Sequence, residues 1–325
     1  MPTVNPTNTL LKWYYQHGRR LPWRTMGGAH KNPYEVWISE IMLQQTTVAT
    51  VLDYFDKWMA RFPNIKTLAQ ADIQDVLLTW QGMGYYTRAR KIHECAKVLV
   101  DKYNAQLPTT REELLKLPGI GPYSASSICC FAYNQPETVV DGNVVRVIAR
   151  LYGITREITP ADIYPWAQKL TPAQHGADYA SAIMDLGATV CTPTSPKCTA
   201  CPWNNICMAN KKQIQSTIPQ IKKLAKKEKV GLVYIVQDKR GRYLIRQRTE
   251  KGLLHGLWEF PWQETTSSPE HAIAKVVHVF THFKLTLYLI YASAEVCNDG
   301  TWVGINQFPR YPFSKLMQKV IAKLP

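Results

Sequence analysis

Residues 117–125 read Leu117-Pro-Gly-Ile-Gly-Pro-Tyr123-Ser-Ala125 and lie between two segments with helical spacing. Ahead of them, Thr110-Arg-Glu-Glu113 matches a capping box leading into Leu114, Leu115 and Leu117. Gly119 and Gly121 allow a tight turn and close approach of another surface. Pro122 suits the first turn of the next helix. The string therefore predicts a tight turn between two helices, either a plain αα-turn or one whose second helix points its free N–H groups outward, an arrangement that suits a phosphate. The same style of segment extends over residues 1–207. Asn32-Pro33 offers an N-cap and first-turn proline, and apolar residues from Tyr34 to about Arg61 (Val36, Trp37, Ile41, Val48, Leu52, Phe55) recur at helical spacing, predicting one long helix. Val144–Leu151 continues as a helix that should stop at Gly153.

At the end of this helical region Cys191, Cys198, Cys201 and Cys207 form C-x6-C-x2-C-x5-C within seventeen residues. Four thiolates so close can hold one metal centre, and an all-sulfur shell suits iron–sulfur or zinc. Paired C-x-x-C knuckles would favour zinc; a single C-x-x-C flanked by lone cysteines fits it poorly. Cys95, Cys129, Cys130 and Cys297 are scattered among apolar neighbours and read as core thiols of a reducing compartment.

The chain has 325 residues, enough for two domains. Lys and Arg outnumber Asp and Glu by 15, with a pI near 9.4, which points to a polyanionic partner, nucleic acid first. The start, MPTVNPTNTLLKWYYQ, lacks the apolar core of a signal peptide, and no apolar run is long enough to span a membrane. A cytoplasmic, nucleoid-associated protein is expected. Residues 211–229 hold seven lysines and one acid and are predicted to be an exposed linker. After Val230 the apolar period becomes two. Val233–Val236 and Tyr243–Ile245 flank Asp238-Lys-Arg-Gly241 as a hairpin signal, Thr286–Tyr291 reads as a strand, and Phe313–Leu324 as an amphipathic helix. The expected organisation is a helical domain at 1–207, a linker at 208–229 and a smaller α+β domain at 230–325.

Two carboxylates in the helical region stand out. Glu40 interrupts the apolar run Val36-Trp37-Ile38-Ser39-Glu40-Ile41-Met42-Leu43, where desolvation should raise its pKa and make it a proton donor. Asp141 opens a helix after Val139-Val140, where backbone donors should hold it ionised. One protonated and one charged acid is the pairing that breaks glycosidic bonds.

Taken together, these residues resemble the helix–hairpin–helix DNA glycosylases, and within them the MutY family of adenine DNA glycosylases. The resemblance rests on Leu21-Pro-Trp-Arg24, Trp37-Ile-Ser-Glu40-Ile-Met-Leu-Gln-Gln-Thr46, Gly82-Met-Gly-Tyr-Tyr86, the hairpin at 117–125, Val140-Asp-Gly-Asn143, Met184-Asp-Leu-Gly187 and the cysteine loop. It implies a mainly α N-terminal region, a six-helix barrel with an iron–sulfur helical module, joined to a smaller α+β MutT/Nudix-like domain. It implies a general-acid role for Glu40, stabilisation of the cationic sugar by Asp141, and ordering of the site by Tyr123 and Asn143. Trp23, Arg24, Leu43 and Val48 would line the base pocket, and Gln45 and Tyr85 would wedge into the base stack as the nucleotide leaves it; extrusion is required because the bond is inaccessible in a duplex. Gly119 and Gly121 would sit on DNA phosphate. The four cysteines would carry a [4Fe–4S] cluster. The partner would be double-stranded DNA with adenine opposite 8-oxoguanine, bound by a monomer.

Two positions refine the expectation. Endonuclease III-like relatives place a lysine where Tyr123 stands, and tyrosine cannot form their Schiff base, so a monofunctional enzyme is expected. Ser181 stands where relatives often carry Gln or Glu against the base edge, and serine is shorter. In the C-terminal domain Gly252-Leu-Leu-His-Gly-Leu-Trp-Glu-Phe-Pro261 resembles the MutT-like segment, but no glutamate-rich magnesium-binding helix follows, which argues against pyrophosphatase chemistry. Phe280-Thr281-His282 matches the loop that would read 8-oxoguanine. The competing readings are a bifunctional glycosylase/lyase for oxidised pyrimidines and a non-catalytic DNA binder.

Overall fold

The computed structural model describes residues 5–27, 32–220, 226–296 and 299–324. The chain divides into two compact units, Met1–Val48 with Val98–Lys222 and Ala49–Lys97 with Lys223–Pro325.

The first unit is helical. Its main helices are Pro6–His17, Pro33–Leu43, Pro122–Tyr133, Gly142–Tyr152, Pro160–Gln168 and Gly176–Thr189. Four of their starts follow directly from sequence. Asn5, Asn32, Asp141 and Thr159 each accept a backbone N–H of the first turn, three of them ahead of a proline at the helix entry. Gly153 ends its helix at φ +66°, as expected. Leu10, Val144, Ile148, Ile183 and Leu186 meet in one core. Ile218 is buried in that same core, and Ile214 packs against it. The segment expected to be an exposed linker therefore begins as part of the helical unit, and at its other end Lys227 already belongs to a strand. Two apolar side chains outweigh the lysine-rich composition there.

Two further expectations are corrected. The long helix from Tyr34 is broken at Gln44–Thr47 into Pro33–Leu43 and Val48–Arg61, with Gln45 at φ +57°. The Thr110 capping box forms only in half. The Thr110 hydroxyl accepts from the Glu113 amide, but the Glu113 carboxylate turns to Tyr103 and Lys116, and the helix is only Arg111–Leu114.

The second unit combines the chain from Ala49 to Lys97 with seven strands: β1 (Lys227–Ile235), β2 (Tyr243–Gln247), β3 (Trp258–Glu259), β4 (Trp262–Thr265), β5 (Ala274–Val279), β6 (Phe283–Tyr291) and β7 (Thr301–Val303). One sheet has the order β4-β1-β6-β5, with β1 and β6 parallel; the other is β3-β2-β7. The turn at Asp238–Gly241 forms, with the Asp238 amide donating to Arg242 O at 2.9 Å. The arms pair antiparallel beside the turn, with Gln237 opposite Tyr243 and Leu244 N donating to Val236 O at 3.0 Å, so the expected hairpin forms but is short; beyond it β1 joins the first sheet and β2 the second. No helix lies between Thr265 and Ala274. The terminal helix, Lys315–Ile321, is capped by Ser314 and buries Leu316, Met317 and Val320 on the strand core. Hydrogen bonds tie the early residues to this domain. Gln81 donates to Phe313 O at 3.1 Å, Tyr86 to Phe313 O at 3.3 Å, and Trp258 to Gln74 Oε1 at 3.1 Å. The compact units thus cut across the linear order of the chain.

Candidate active site and metal centre

Glu40 lies on the buried helix Pro33–Leu43, packed against the helix that follows the hairpin. Only 9 % of it is exposed. Desolvation pushes its pKa up to about 7. The Ser127 hydroxyl, which hydrogen-bonds it, and Arg24 counter that rise, and the Asp141 charge adds to it. Asp141 caps the helix Gly142–Tyr152. It accepts from the Val144 amide at 2.8 Å and from Asn143 Nδ2 at 2.8 Å. Tyr123 is 37 % exposed, and its pKa is raised by desolvation and then by the charges of Glu40 and Asp141. Glu40, Asp141, Tyr123 and Arg24 therefore share one electrostatic neighbourhood in the first unit.

Asn143 is held from behind. Its Oδ1 accepts from Arg146 Nη2 at 2.9 Å, and the same nitrogen donates to Gly187 O at 2.7 Å, while Arg146 Nε donates to Cys191 O at 2.8 Å. Gly187 has to be glycine for this contact: a Cβ there would fall 2.6 Å from the Asn143 Cβ. Arg24 is fixed by Asp185, a fully buried carboxylate that also takes the Arg19 backbone amide and guanidinium at 2.7–2.8 Å. Desolvation works to raise the Asp185 pKa, but Arg24 and Arg19 outweigh it and hold the carboxyl below its ordinary value. Trp23 is buried, Leu43 and Val48 are half-buried, and Gln45 is exposed on the break between helices. Ser181 is buried on the helix Gly176–Thr189. Gly119 takes a left-handed turn at φ +79°. Gly121 does not: it is extended at φ −94°, and a Cβ on it would meet nothing within 4 Å, so openness and not backbone freedom distinguishes that position.

The four cysteines line one small cavity together with Arg150. Arg150 Nη1 donates to Thr192 O at 2.7 Å and lies 3.4 Å from Cys191 Sγ, and Nη2 donates to Pro193 O at 2.9 Å. Burial pushes the Cys198 and Cys207 thiols up, and Cys201 up to about 12, so their thiolates need a cation. Among the described residues no three His, Cys, Asp or Glu side chains come close enough to grip a single metal ion. Four cysteine thiols around one cavity are a donor set that suits an iron–sulfur cluster. Of the other cysteines, Cys95, Cys129 and Cys130 are buried, and Cys297 lies outside the described residues.

Tyr85, Phe280, Thr281 and His282 belong to the second unit. Phe280 N donates to Phe283 O at 2.8 Å, which closes a two-residue turn between β5 and β6 with Thr281 and His282 exposed at its tip. The Tyr85 and Thr281 hydroxyls are 2.9 Å apart, and Arg88 stacks over the Tyr85 ring at 5.2 Å. These residues border a cavity of about 380 Å³ that Arg90 and Leu254 also line. Tyr85, like Gln45, is an exposed residue with positive φ, here +49°.

Comparison with known proteins agrees with this geometry. Residues 38–173 match the HhH-GPD superfamily of base excision DNA repair proteins, 191–207 the iron-sulfur binding domain of endonuclease III, and 232–323 the NUDIX domain. An adenine DNA glycosylase of Buchnera aphidicola is 38% identical over 94% of this chain and 88% of its own length, and that of Mus musculus is 32% identical over 96% and 76%. The chain belongs to the adenine DNA glycosylase family. A thermostable thymine-DNA glycosylase superposes with a TM-score of 0.57 at 27% identity, covering 63% of this chain and 95% of that one; endonuclease III bound to DNA gives 0.55 at 24% over 64% and 95%, a likeness of fold. The protein is thus a DNA glycosylase of base-excision repair with an iron–sulfur site and a Nudix domain. Sequence reasoning assigned no part to Arg19, Ser127, Arg146, Arg150 or Asp185. Only Asp185 carried a visible signal, a charge inside the apolar run Ile183–Leu186.

Proposed function

We propose that the enzyme removes adenine paired with 8-oxoguanine, as a monofunctional glycosylase acting on an extruded nucleotide. The observation that carries this reading is Glu40, a buried carboxyl with a pKa of about 7 beside the helix-capping Asp141. Glu40 gives its proton to the base, and Asp141 stabilises the positive charge that develops on the sugar. Asn143 fixes the Asp141 carboxylate, and Tyr123 closes the site around the sugar. Trp23, Arg24, Leu43 and Val48 border the base. Gln45 and Tyr85 enter the stack; their exposed, left-handed backbones support that role, since strain of this kind collects at functional loops. Gly119 and Gly121 let a phosphate approach the hairpin, and Phe280, Thr281 and His282 read the base opposite. The cysteines hold a [4Fe–4S] cluster, which when bound cross-links residues 191–207.

Incubating the holoenzyme with duplexes containing A:8-oxoG, A:G, A:C or thymine glycol, followed by alkali, tests the proposal. Strand breaks should appear at adenine, first in A:8-oxoG. Breakage only at thymine glycol would reject the substrate, and efficient borohydride trapping on DNA would reject the monofunctional reading, because Tyr123 offers no amine.

A second expectation concerns Gly187. Gly187→Ala should push Asn143 away from Asp141 and slow single-turnover base release by on the order of 10- to 100-fold with little change in DNA affinity. An unchanged rate would show that the Asn143 contact does not position the carboxylate.

A further inference from the structure

Tyr85, the side chain proposed above to enter the base stack, is 45 % exposed and sits on a left-handed backbone at φ +49°. A large ring on such a backbone needs support to keep one position. Arg88 supplies it. Its guanidinium carbon lies 5.2 Å from the centre of the Tyr85 ring and 5.2 Å from the Trp80 ring, both within cation–π range. Trp80 has no solvent exposure and meets Trp58 edge to face at 5.4 Å. The exposed phenol therefore rests on the core of its own unit through a single guanidinium. Three hydrogen bonds close the loop around this stack. Trp80 Nε1 donates to Gly84 O at 3.0 Å, Arg88 Nη2 donates to the same oxygen at 3.4 Å, and the Arg88 amide donates to Tyr85 O at 2.8 Å. Burial pulls the Arg88 pKa down to about 10, which leaves it cationic at neutral pH.

We infer that Arg88 is a positioning residue for nucleotide extrusion: its guanidinium, stacked on Trp80, holds the Tyr85 ring ready to enter the duplex. This inference rests on the wedge role given to Tyr85 above. A side chain already immobilised in the free protein loses less conformational freedom when it inserts, so more of its stacking energy is left to open the base stack. The role is specific to arginine. A planar guanidinium stacks on two rings and still donates to a carbonyl, whereas the ammonium of lysine is a compact, strongly hydrated charge. Because Arg88 is engaged with two rings and Gly84 O, it acts on extrusion through Tyr85 and not by gripping a phosphate.

The test is a double-mutant cycle on the holoenzyme with Arg88→Met, Tyr85→Ala and the pair combined, and with Arg88→Lys as the conservative variant. A 2-aminopurine beside the adenine of an 8-oxoguanine duplex brightens as the stack opens, so stopped-flow fluorescence reads the extrusion rate. Arg88→Met should slow extrusion by roughly tenfold, and Arg88→Lys should recover little of that loss. In the Tyr85→Ala background Arg88→Met should cost less than about twofold, because the ring through which it acts is gone. The salt dependence of DNA binding should not change. Should Arg88→Met fail to fold, Arg88→Lys completes the same cycle. An equal loss in both backgrounds, a salt slope reduced by about one, as for a lost phosphate contact, or wild-type extrusion in the Arg88 variants would overturn the assignment. Wild-type extrusion by Tyr85→Ala alone would instead reject the wedge reading, a separate result because Arg88 is intact in that variant.

Discussion

Glu40→Gln should abolish adenine release while leaving mispair binding intact. General-acid catalysis contributes roughly 10²- to 10⁴-fold, and the amide keeps the shape of the side chain without a transferable proton. Single-turnover rates give the loss and fluorescence anisotropy the binding. A variant that releases base at more than a tenth of the wild-type rate would remove Glu40 from the mechanism. The raised pKa of about 7 adds a second expectation. The donor form is present below that value, so the wild-type rate should fall as pH rises through 7. The same shift bears on stability. A carboxyl whose pKa is higher folded than unfolded stabilises most fully below its unfolded value, 4.5, and that contribution disappears as pH rises toward 7. Above pH 7 the buried charge is a burden on the order of 3 kcal/mol. Glu40→Gln should therefore be more resistant to urea than wild type at pH 8, with the difference vanishing near pH 4. Equal stability at pH 8 would mean that Glu40 is better solvated than its 9 % exposure implies.

That trade of stability for chemistry was partly legible in the chain itself. Glu40 stands in a run of apolar residues, and local composition alone predicts desolvation. Asp141 and Gly153 mark the two ends of one helix by rules of capping that need no knowledge of tertiary structure. The cysteine spacing announces a shared centre for the same reason: ligands close in sequence are close in space. What sequence periodicity could not reveal depends on distant partners. The four polar residues Gln44–Thr47 read equally well as the solvated turn of a continuing helix, yet the chain breaks there and Gln44 Nε2 donates to Ser124 Oγ at 3.0 Å. The turn at Asp238 has the right residues, but the strands that leave it find other neighbours, β1 in β4 and β6, β2 in β3 and β7. Gln74 and Gln81 look like ordinary surface amides until Trp258 and Phe313 arrive from residues far along the chain. Arg146 and Arg150 carry no periodic signal that separates a solvated face from one that serves Asn143 and the cysteine loop.

Asp185 shows in the sequence only as a charge within an apolar run, its partners being far along the chain, and its removal should cost the most stability. Its carboxylate has no solvent exposure and accepts from the Arg19 amide, the Arg19 guanidinium and Arg24 Nη1. Asp185→Ala leaves two guanidinium groups without their counter-charge, and losing one partner of a buried ion pair costs about 3–5 kcal/mol. Urea unfolding at pH 7 should register that loss. Because the folded carboxyl titrates below its ordinary value of 3.8, its contribution is complete above that pH and disappears as pH falls through the lower folded value. The gap between wild type and variant should narrow in strong acid. The same substitution releases Arg24, whose charge already lowers the Glu40 pKa. If the freed guanidinium swings toward Glu40, the falling limb of the rate profile moves to lower pH; if it swings into solvent, the limb moves higher. Asp185→Asn is a milder change, since its single carbonyl oxygen can still accept from the Arg19 amide or from the guanidinium groups but not both, while the charge is removed. A loss below 1 kcal/mol in both variants, with an unmoved pH profile, would show that Arg19 and Arg24 find water as readily as they find this carboxylate, and that Arg24 does not depend on Asp185 for its place beside the proton donor.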